Sequence, residues 1–191
     1  MTLMTHATAL GREPTDDLAT SAVDILFYAT DDCAFGKVLI ARSNKGVCAI
    51  LLGDDASALQ ADLSGRFPQS TLVPNAAIVR DDLAKVARYA DKPSEGLDLE
   101  LDMRGTPIQR RVWNALRSIP IGTTKSYMQV ARLINGAYPQ VTARIVANAC
   151  AANPLALVIP CHRVIRVDGE LAGYRWDLER KRKLLEKEAN E

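Results

Sequence analysis

Apolar positions along the first half of the chain follow a period of two and then a helical period. The runs DILFYA (24–29), KVLIAR (37–42) and VCAILL (47–52) are rich in strand-forming residues. DDCAFG and SNKG, which carry turn chemistry, separate them. This spacing predicts an antiparallel meander of three strands. ASALQADLSGRF (56–67) and AAIVRDDLAKVARYA (76–90) switch to helical spacing, with Ile78, Leu83, Val86 and Ala90 broadly on one side. LDLELD (97–102) alternates apolar and acidic residues, as an edge strand does. Residues 1–21 are polar, contain Pro14 and show no period, which predicts a mobile arm.

From Gly105 onward the pattern is helical with short links. Thr106 fits an N-cap, Pro107 the first helical position, and Gln109 completes a capping box. Ile108, Val112, Ala115 and Ile119 then form a stripe that Pro120 and Gly122 end. Ser126 and Gln129 form a second capping box, opening the helix YMQVARLI. A third helix is expected over about 140–152, stopping before Asn153-Pro154 because the residue before proline disfavours the helical region. A last helix is expected over about 177–189. The second and third of these helices fit a helix-turn-helix, and equally an ordinary helical hairpin with one surface arginine, Arg144.

Composition narrows the classes of function. The 191 residues are 48% hydrophobic and 25% charged, enough for one well-packed domain or two small ones. No apolar run approaches the roughly 20 residues of a membrane helix, and no signal peptide is recognisable, so a cytoplasmic protein is expected. Net charge is only +1, but residues 1–100 hold 9 Lys and Arg against 15 Asp and Glu, and residues 101–191 hold 15 against 8. A basic C-terminal half suits a polyanion, or a solvated basic helix, since six of those positive charges lie in the last helix and its approach. Four cysteines without CxxC spacing and two histidines do not make a zinc site, and reduced thiols are expected. Cys48 and Cys150 have the surroundings of small buried hydrophobes.

Chemistry concentrates in LALVIPCHRVIRVDGELAGYRW (155–176). A strand-like run, LALVI, leads into Pro160-Cys161-His162-Arg163. Cysteine attacks as thiolate, and a neighbouring base or positive charge lowers its pKa. His162 and Arg163 are the local candidates. In extended backbone His162 points away from Cys161, so contact needs a bend or a bridging water. A carboxylate from the last helix could orient the imidazole: Glu179, Glu186 or Glu188.

RGTPIQRRVWNALRSIPIGTTKSY, ARIVANACAANPLALVIPCHRVI, AGYRW and RKLLEKE together resemble the O6-alkylguanine-DNA alkyltransferases, most nearly those of the Ada type. DCAFGKVLIARSNKGVCAILLGDD resembles the smaller α/β part of the same proteins. The resemblance implies an α+β fold: a small N-terminal α/β domain with a ribonuclease H-like antiparallel sheet (22–103), then a helical domain with a winged helix-turn-helix (104–191). It implies a monomer that binds double-stranded DNA from the minor groove, flips an O6-alkylguanine and moves the alkyl group irreversibly to Cys161, once, with no cofactor and no metal. His162, through a water, would act as base, with Glu188 orienting it. Asn153 would be the hinge between helix and active-site strand. Arg144 would fill the gap left by the flipped base, on a helix where Ala143, Ala147, Ala149 and Ala151 permit close approach. Tyr127 would crowd the phosphate and protonate guanine N3. Tyr174 would wall the pocket, the carbonyls of Cys161 and Val164 would accept from the guanine amino group, and the Arg175 N–H would donate to O6. The link between Tyr127 and Arg144 is about three residues longer than the family's usual turn. A DNA-binding module without transfer and a cysteine hydrolase using Cys161, His162 and Glu188 are the other classes these residues admit.

Overall fold

In the computed structural model, residues 23–135 and 140–190 are described. The arm expected over 1–21 therefore lies outside the described residues, as does most of NGAYPQ, the centre of the longer link. The meander forms as the alternation dictates: β1 (Ile25–Cys33), β2 (Gly36–Ser43) and β3 (Gly46–Gly53) pair antiparallel in sequence order. β2 and β3 read as near-continuous apolar runs because both faces are covered, and Val38–Ala41 and Val47–Leu52 are buried. Helices α1 (Ala56–Arg66) and α2 (Ala76–Asp91) pack on these strands. Asp55 and Asn75 cap them, accepting from the N–H of Ala58 and Ile78. Leu83, Val86 and Ala90 of α2 are buried as expected, but Ile78 is 43% exposed. It lies in the first turn, ahead of the buried stripe that begins at Val79.

Two segments differ from the pattern. A fourth strand, β4 (Thr71–Pro74), joins the sheet parallel to β1, giving the order β3-β2-β1-β4. Four residues ending in proline carry too little alternation to announce a strand. LDLELD, in contrast, makes no strand. Its alternation is real, with Leu99 buried and Glu100 exposed, but its backbone hydrogen bonds to β3 are confined, among the described residues, to Val47, through one N–H bonded to Glu100 and one carbonyl accepting from Asp102. Further along, the same β3 edge is taken by residues 154–156, bonded above and below Ile50. One strand edge thus holds two short segments, and neither has length to propagate a ladder.

In the second half, α3 (Pro107–Arg117), α4 (Tyr127–Asn135) and α5 (Ala143–Ala152) pack against one another. Both capping boxes are present: Thr106 with Gln109, and Ser126 with Gln129. Trp113 of α3 is buried and donates its indole N–H to the Ala149 carbonyl of α5 at 2.8 Å. α5 starts at Ala143 rather than near 140, because Thr142 is extended and caps the Ile145 N–H. Asn135 at the end of α4 donates to and accepts from the Val141 backbone, pinning both ends of the link. β5 (Lys125–Ser126) and β6 (Val164–Ile165) form a small parallel pair beside α4, and α6 (Leu178–Ala189) closes the chain. The whole is an α+β fold, and no helix among the described residues is long and apolar enough to cross a membrane.

Gly46 opens β3 at φ +136°, and a Cβ there would stand 2.6 Å from the Glu100 carbonyl oxygen. Both the backbone and the close approach require glycine. Gly46→Ala is expected to lower stability by about 1–3 kcal/mol, the usual scale of such strain. A urea midpoint equal to that of the parent protein would contradict this.

Candidate active site

LALVI does not form the strand expected of it. After the single bridge at Leu155 the chain turns through Ala156–Val158, with Leu157 in the left-handed region at φ 70°. Cys161–Arg163 follow as one turn of 3-10 helix. Such a turn fans successive side chains about 120° apart, which sends the three residues to different places. This is the bend that the extended reading lacked.

Cys161 is buried, 4% exposed, yet it lines an open cavity of about 440 Å³. Tyr127 of α4 and Ala147, Cys150 and Ala151 of α5 form one side, and the segment 172–175 forms the other. Cys150 is buried as expected and in addition faces this cavity. Among the described residues, one side chain hydrogen-bonds the sulfur: Asn153 Nδ2, at 3.3 Å. Asn153 is the C-cap of α5, wholly buried, and also donates to the Ile159 carbonyl at 3.1 Å while accepting from Leu155 N at 2.8 Å. It thereby ties the helix end to the loop that carries the cysteine.

His162 turns away to α6. Its Nε2 lies 2.8 Å from Glu188 Oε1, and both side chains are fully buried. Arg163 grips the same carboxylate with Nε at 2.9 Å to Oε2 and Nη2 at 2.8 Å to Oε1. Nη1 reaches the Ile119 carbonyl, and Nη2 also donates to the Tyr89 hydroxyl. Of the three candidate carboxylates, Glu188 is therefore the orienting one. Glu179 pairs with Arg182 in the first turn of α6, and Glu186 is exposed.

Burial opposes the charge on Glu188, but hydrogen bonds from His162 and Arg163 outweigh it and bring the carboxyl down to about 2. An ionised carboxylate only accepts, so His162 Nε2 must carry the proton and Nδ1 the lone pair. Nδ1 is buried and without a hydrogen-bond partner among the described residues. Burial also lowers the His162 pKa, which keeps the imidazole neutral. Burial pushes the Cys161 thiol up to about 11, against the pull of the Asn153 amide and the Lys181 ammonium. The expected role of Arg163 in lowering that pKa is not met, because its guanidinium is spent on Glu188.

Lys181 is a buried charge behind the cavity wall that the sequence reading missed. It is wholly buried and donates to the carbonyls of Val164 (2.5 Å) and Ala172 (2.8 Å), joining α6 to β6 and to the cavity wall at Ala172. The signal was present: Lys181, Leu184 and Glu188 share one helical face, and a basic residue in register with a buried leucine must find partners inside. Tyr89 was missed as well, since nothing local links α2 to Glu188.

The remaining expected residues are placed as follows. Tyr127 is half-buried and donates to the Ala172 carbonyl at 3.4 Å, and burial lifts its hydroxyl to about 12. Tyr174 meets His162 edge-on at 6.3 Å, and its own hydroxyl is buried without a partner among the described residues. The carbonyls of Cys161 and Val164 already accept one bond each, from Val164 N and from Lys181. Arg144 is exposed on α5, with Ala143 and Ala147 half-buried on the same helix. Ala149 is not on that approach surface: it is buried against Trp113.

Fold and site together define a protein with a cavity-facing cysteine backed by a buried His–carboxylate pair. Residues 107–190 match the family model described as 6-O-methylguanine DNA methyltransferase, DNA binding domain. The chain is 47% identical over 162 residues to the bifunctional transcriptional activator/DNA repair enzyme Ada of Escherichia coli, covering 85% of this chain but 45% of that protein. It therefore spans less than half the length of that relative. It is 32% identical to the methylated-DNA–protein-cysteine methyltransferase of Candida albicans, covering 85% of this chain and 96% of that one. The O6-methylguanine methyltransferase of Mycobacterium tuberculosis superposes with a TM-score of 0.68 at 33% identity, over 86% of this chain and 93% of that one. A structure of the mycobacterial protein in complex with DNA gives 0.64 at 32% identity, over the same shares. The chain belongs to the methylated-DNA–protein-cysteine methyltransferase family.

A thiol held near 11 should resist iodoacetamide at neutral pH. Labelling of the Cys161 peptide, followed by mass spectrometry, is expected to accelerate about tenfold per pH unit between pH 7 and 10, as the thiolate fraction grows. A plateau below pH 8 would contradict this.

Proposed function

We propose that the chain repairs DNA by transferring the alkyl group of O6-alkylguanine irreversibly to Cys161. The observation that carries this reading is the cavity-facing sulfur set beside the chain His162–Glu188–Arg163. In the transfer the Cys161 sulfur forms a bond to the alkyl carbon and the bond from that carbon to O6 breaks. The thiol proton leaves, through a water, to His162 Nδ1, Tyr127 protonates the departing guanine at N3, and the imidazolium and phenolate left behind neutralise each other by proton transfer through solvent. The neutral resting thiol couples these events, since negative charge need not build up on sulfur before the guanine is in place to receive it. Tyr127, held as phenol by burial, is the donor to guanine N3. The carbonyls of Cys161 and Val164 each keep a second lone pair for the guanine amino group. The Arg175 N–H serves O6, and Tyr174 walls the base. A thioether has no path back, so each chain acts once, without cofactor.

A base stacked in a duplex hides its O6, and extrusion costs a few kcal/mol. Arg144, exposed on α5, is the residue to occupy the vacated stack, with Ala143 and Ala147 allowing the helix to approach the minor groove. In this reading α4 and α5 are the helix-turn-helix and β5–β6 its wing. The sheet of residues 22–103 is a ribonuclease H-like domain, residues 104–191 are the transferase domain, and the protein is a cytoplasmic monomer.

Incubation with a duplex carrying one O6-methylguanine is expected to add one methyl group, about 14 Da, at Cys161 and then stop. Cys161→Ala should abolish the gain while leaving DNA binding intact. Lesion binding with no mass change would instead make the chain a recognition module. Repeated turnover of esters or amides without DNA affinity would make it a hydrolase.

A further inference from the structure

No described residue before Tyr127 lines the cavity, so the N-terminal sheet and its helices act on it only from behind. They reach it through the irregular wall, residues 172–177. Two residues of this wall have positive φ: Gly173, at 25°, and Asp177, at 84°, where a non-glycine residue is strained. Between them the Arg175 N–H makes no hydrogen bond within the described residues. The Arg175 side chain points the other way, into a second hollow of about 450 Å³ bounded by Leu52–Asp55, α1 and Trp176. Arg175 thus lines both hollows, with cavity in front of the wall and space behind it. Across that space Arg175 Nη2 meets Asp62 Oδ1 of α1 at 2.5 Å. Arg180 makes the neighbouring attachment, donating to the Phe35 carbonyl at 2.7 Å and the Trp176 carbonyl at 3.2 Å and pairing with Asp54.

We propose that Asp62 is a positioning residue for the transfer: its pair with Arg175 keeps the wall from receding into the space behind it. That holds the Arg175 N–H on the O6 position and limits how bulky an alkyl group the cavity accepts. The proposal rests on the alkyl-transfer reading above. Arg180 alone cannot replace the pair, because it grips the wall past Trp176, beyond the N–H that faces the base. Both partners are about a third exposed, so the effect is bounded by the modest worth of a partly solvated ion pair.

The test uses the full chain, with single-turnover rates on O6-methylguanine in duplex DNA and on free O6-benzylguanine, and amide hydrogen exchange of residues 172–177 without substrate. Asp62→Ala is expected to slow methyl transfer by about fivefold. It should slow benzyl transfer less, so that the benzyl-to-methyl ratio rises, and exchange across 172–177 should quicken. Asp62→Glu should restore both readouts. The double variant D62A/R175A should be no slower than the slower single one, since the two act as one unit. Equal proportional loss on both substrates with unchanged exchange would reduce Asp62 to a purely structural role and overturn the proposal. Unchanged rates and exchange would also overturn it. If the parent protein transfers neither group, the alkyl-transfer reading fails and the size-limiting role with it. The exchange data then show separately whether Asp62 holds the wall.

Discussion

A carboxylate cannot stay charged in a protein interior unless its surroundings supply the counter-charge that water gave. Glu188 is fully buried and stays ionised because Arg163 holds both its oxygens while His162, Tyr89 and the Gly122 N–H approach the rest. Removing one member of such a cluster strands the others, at a cost of about 3–5 kcal/mol for a broken buried pair. The cluster is therefore part of the fold as much as of the site. It gathers α2, the segment after α3 (Ile119 and Gly122), the 3-10 turn at Cys161 and α6 around one anion.

From that anion the chemistry follows by short steps. The charge on Glu188 fixes the proton of His162 on Nε2. The other nitrogen, Nδ1, is then left with a free lone pair, buried and without a partner among the described residues, and it is the group the proposed transfer uses as base. Nothing in this arrangement keeps the sulfur ionised at rest: burial dominates, and the nearest cation, Lys181, spends its ammonium on backbone carbonyls. A neutral thiol beside a neutral imidazole is a resting state that wastes no chain on stray electrophiles. Under the proposed transfer the product is permanent, so such a reserve would matter. In that transfer, holding a flipped base against the sulfur would fall to the cavity-lining side chains of α4 and α5 and to the segment 172–175.

Much of this was legible in the sequence where local chemistry decides structure. The strands of the meander, the two capping boxes and the end of α5 before Pro154 were set by residues within a few positions of each other. The segment around Cys161 was recognisable because its motif is compact. What the sequence hid is long-range. LALVI reads as a strand, but its partner edge on β3 is shared with residues 100–102, so it bridges once and turns. Arg163 reads as a charge for the cysteine, and only the fold shows Glu188 claiming it from 25 residues away. Lys181 reads as one more charge on a basic helix until its face is matched to Leu184 and Glu188. Asp62 stands 113 residues from Arg175, and no spacing rule connects them.

The protonation state of His162 tests this account most directly, and the chain has only one other histidine, His6, to distinguish from it. Nitrogen NMR of the imidazoles at pH 7 should find His162 neutral, with the proton on Nε2 and Nδ1 bare. An imidazolium at that pH, or a proton on Nδ1, would contradict the claim that the Glu188 charge turns Nδ1 into the base that serves Cys161.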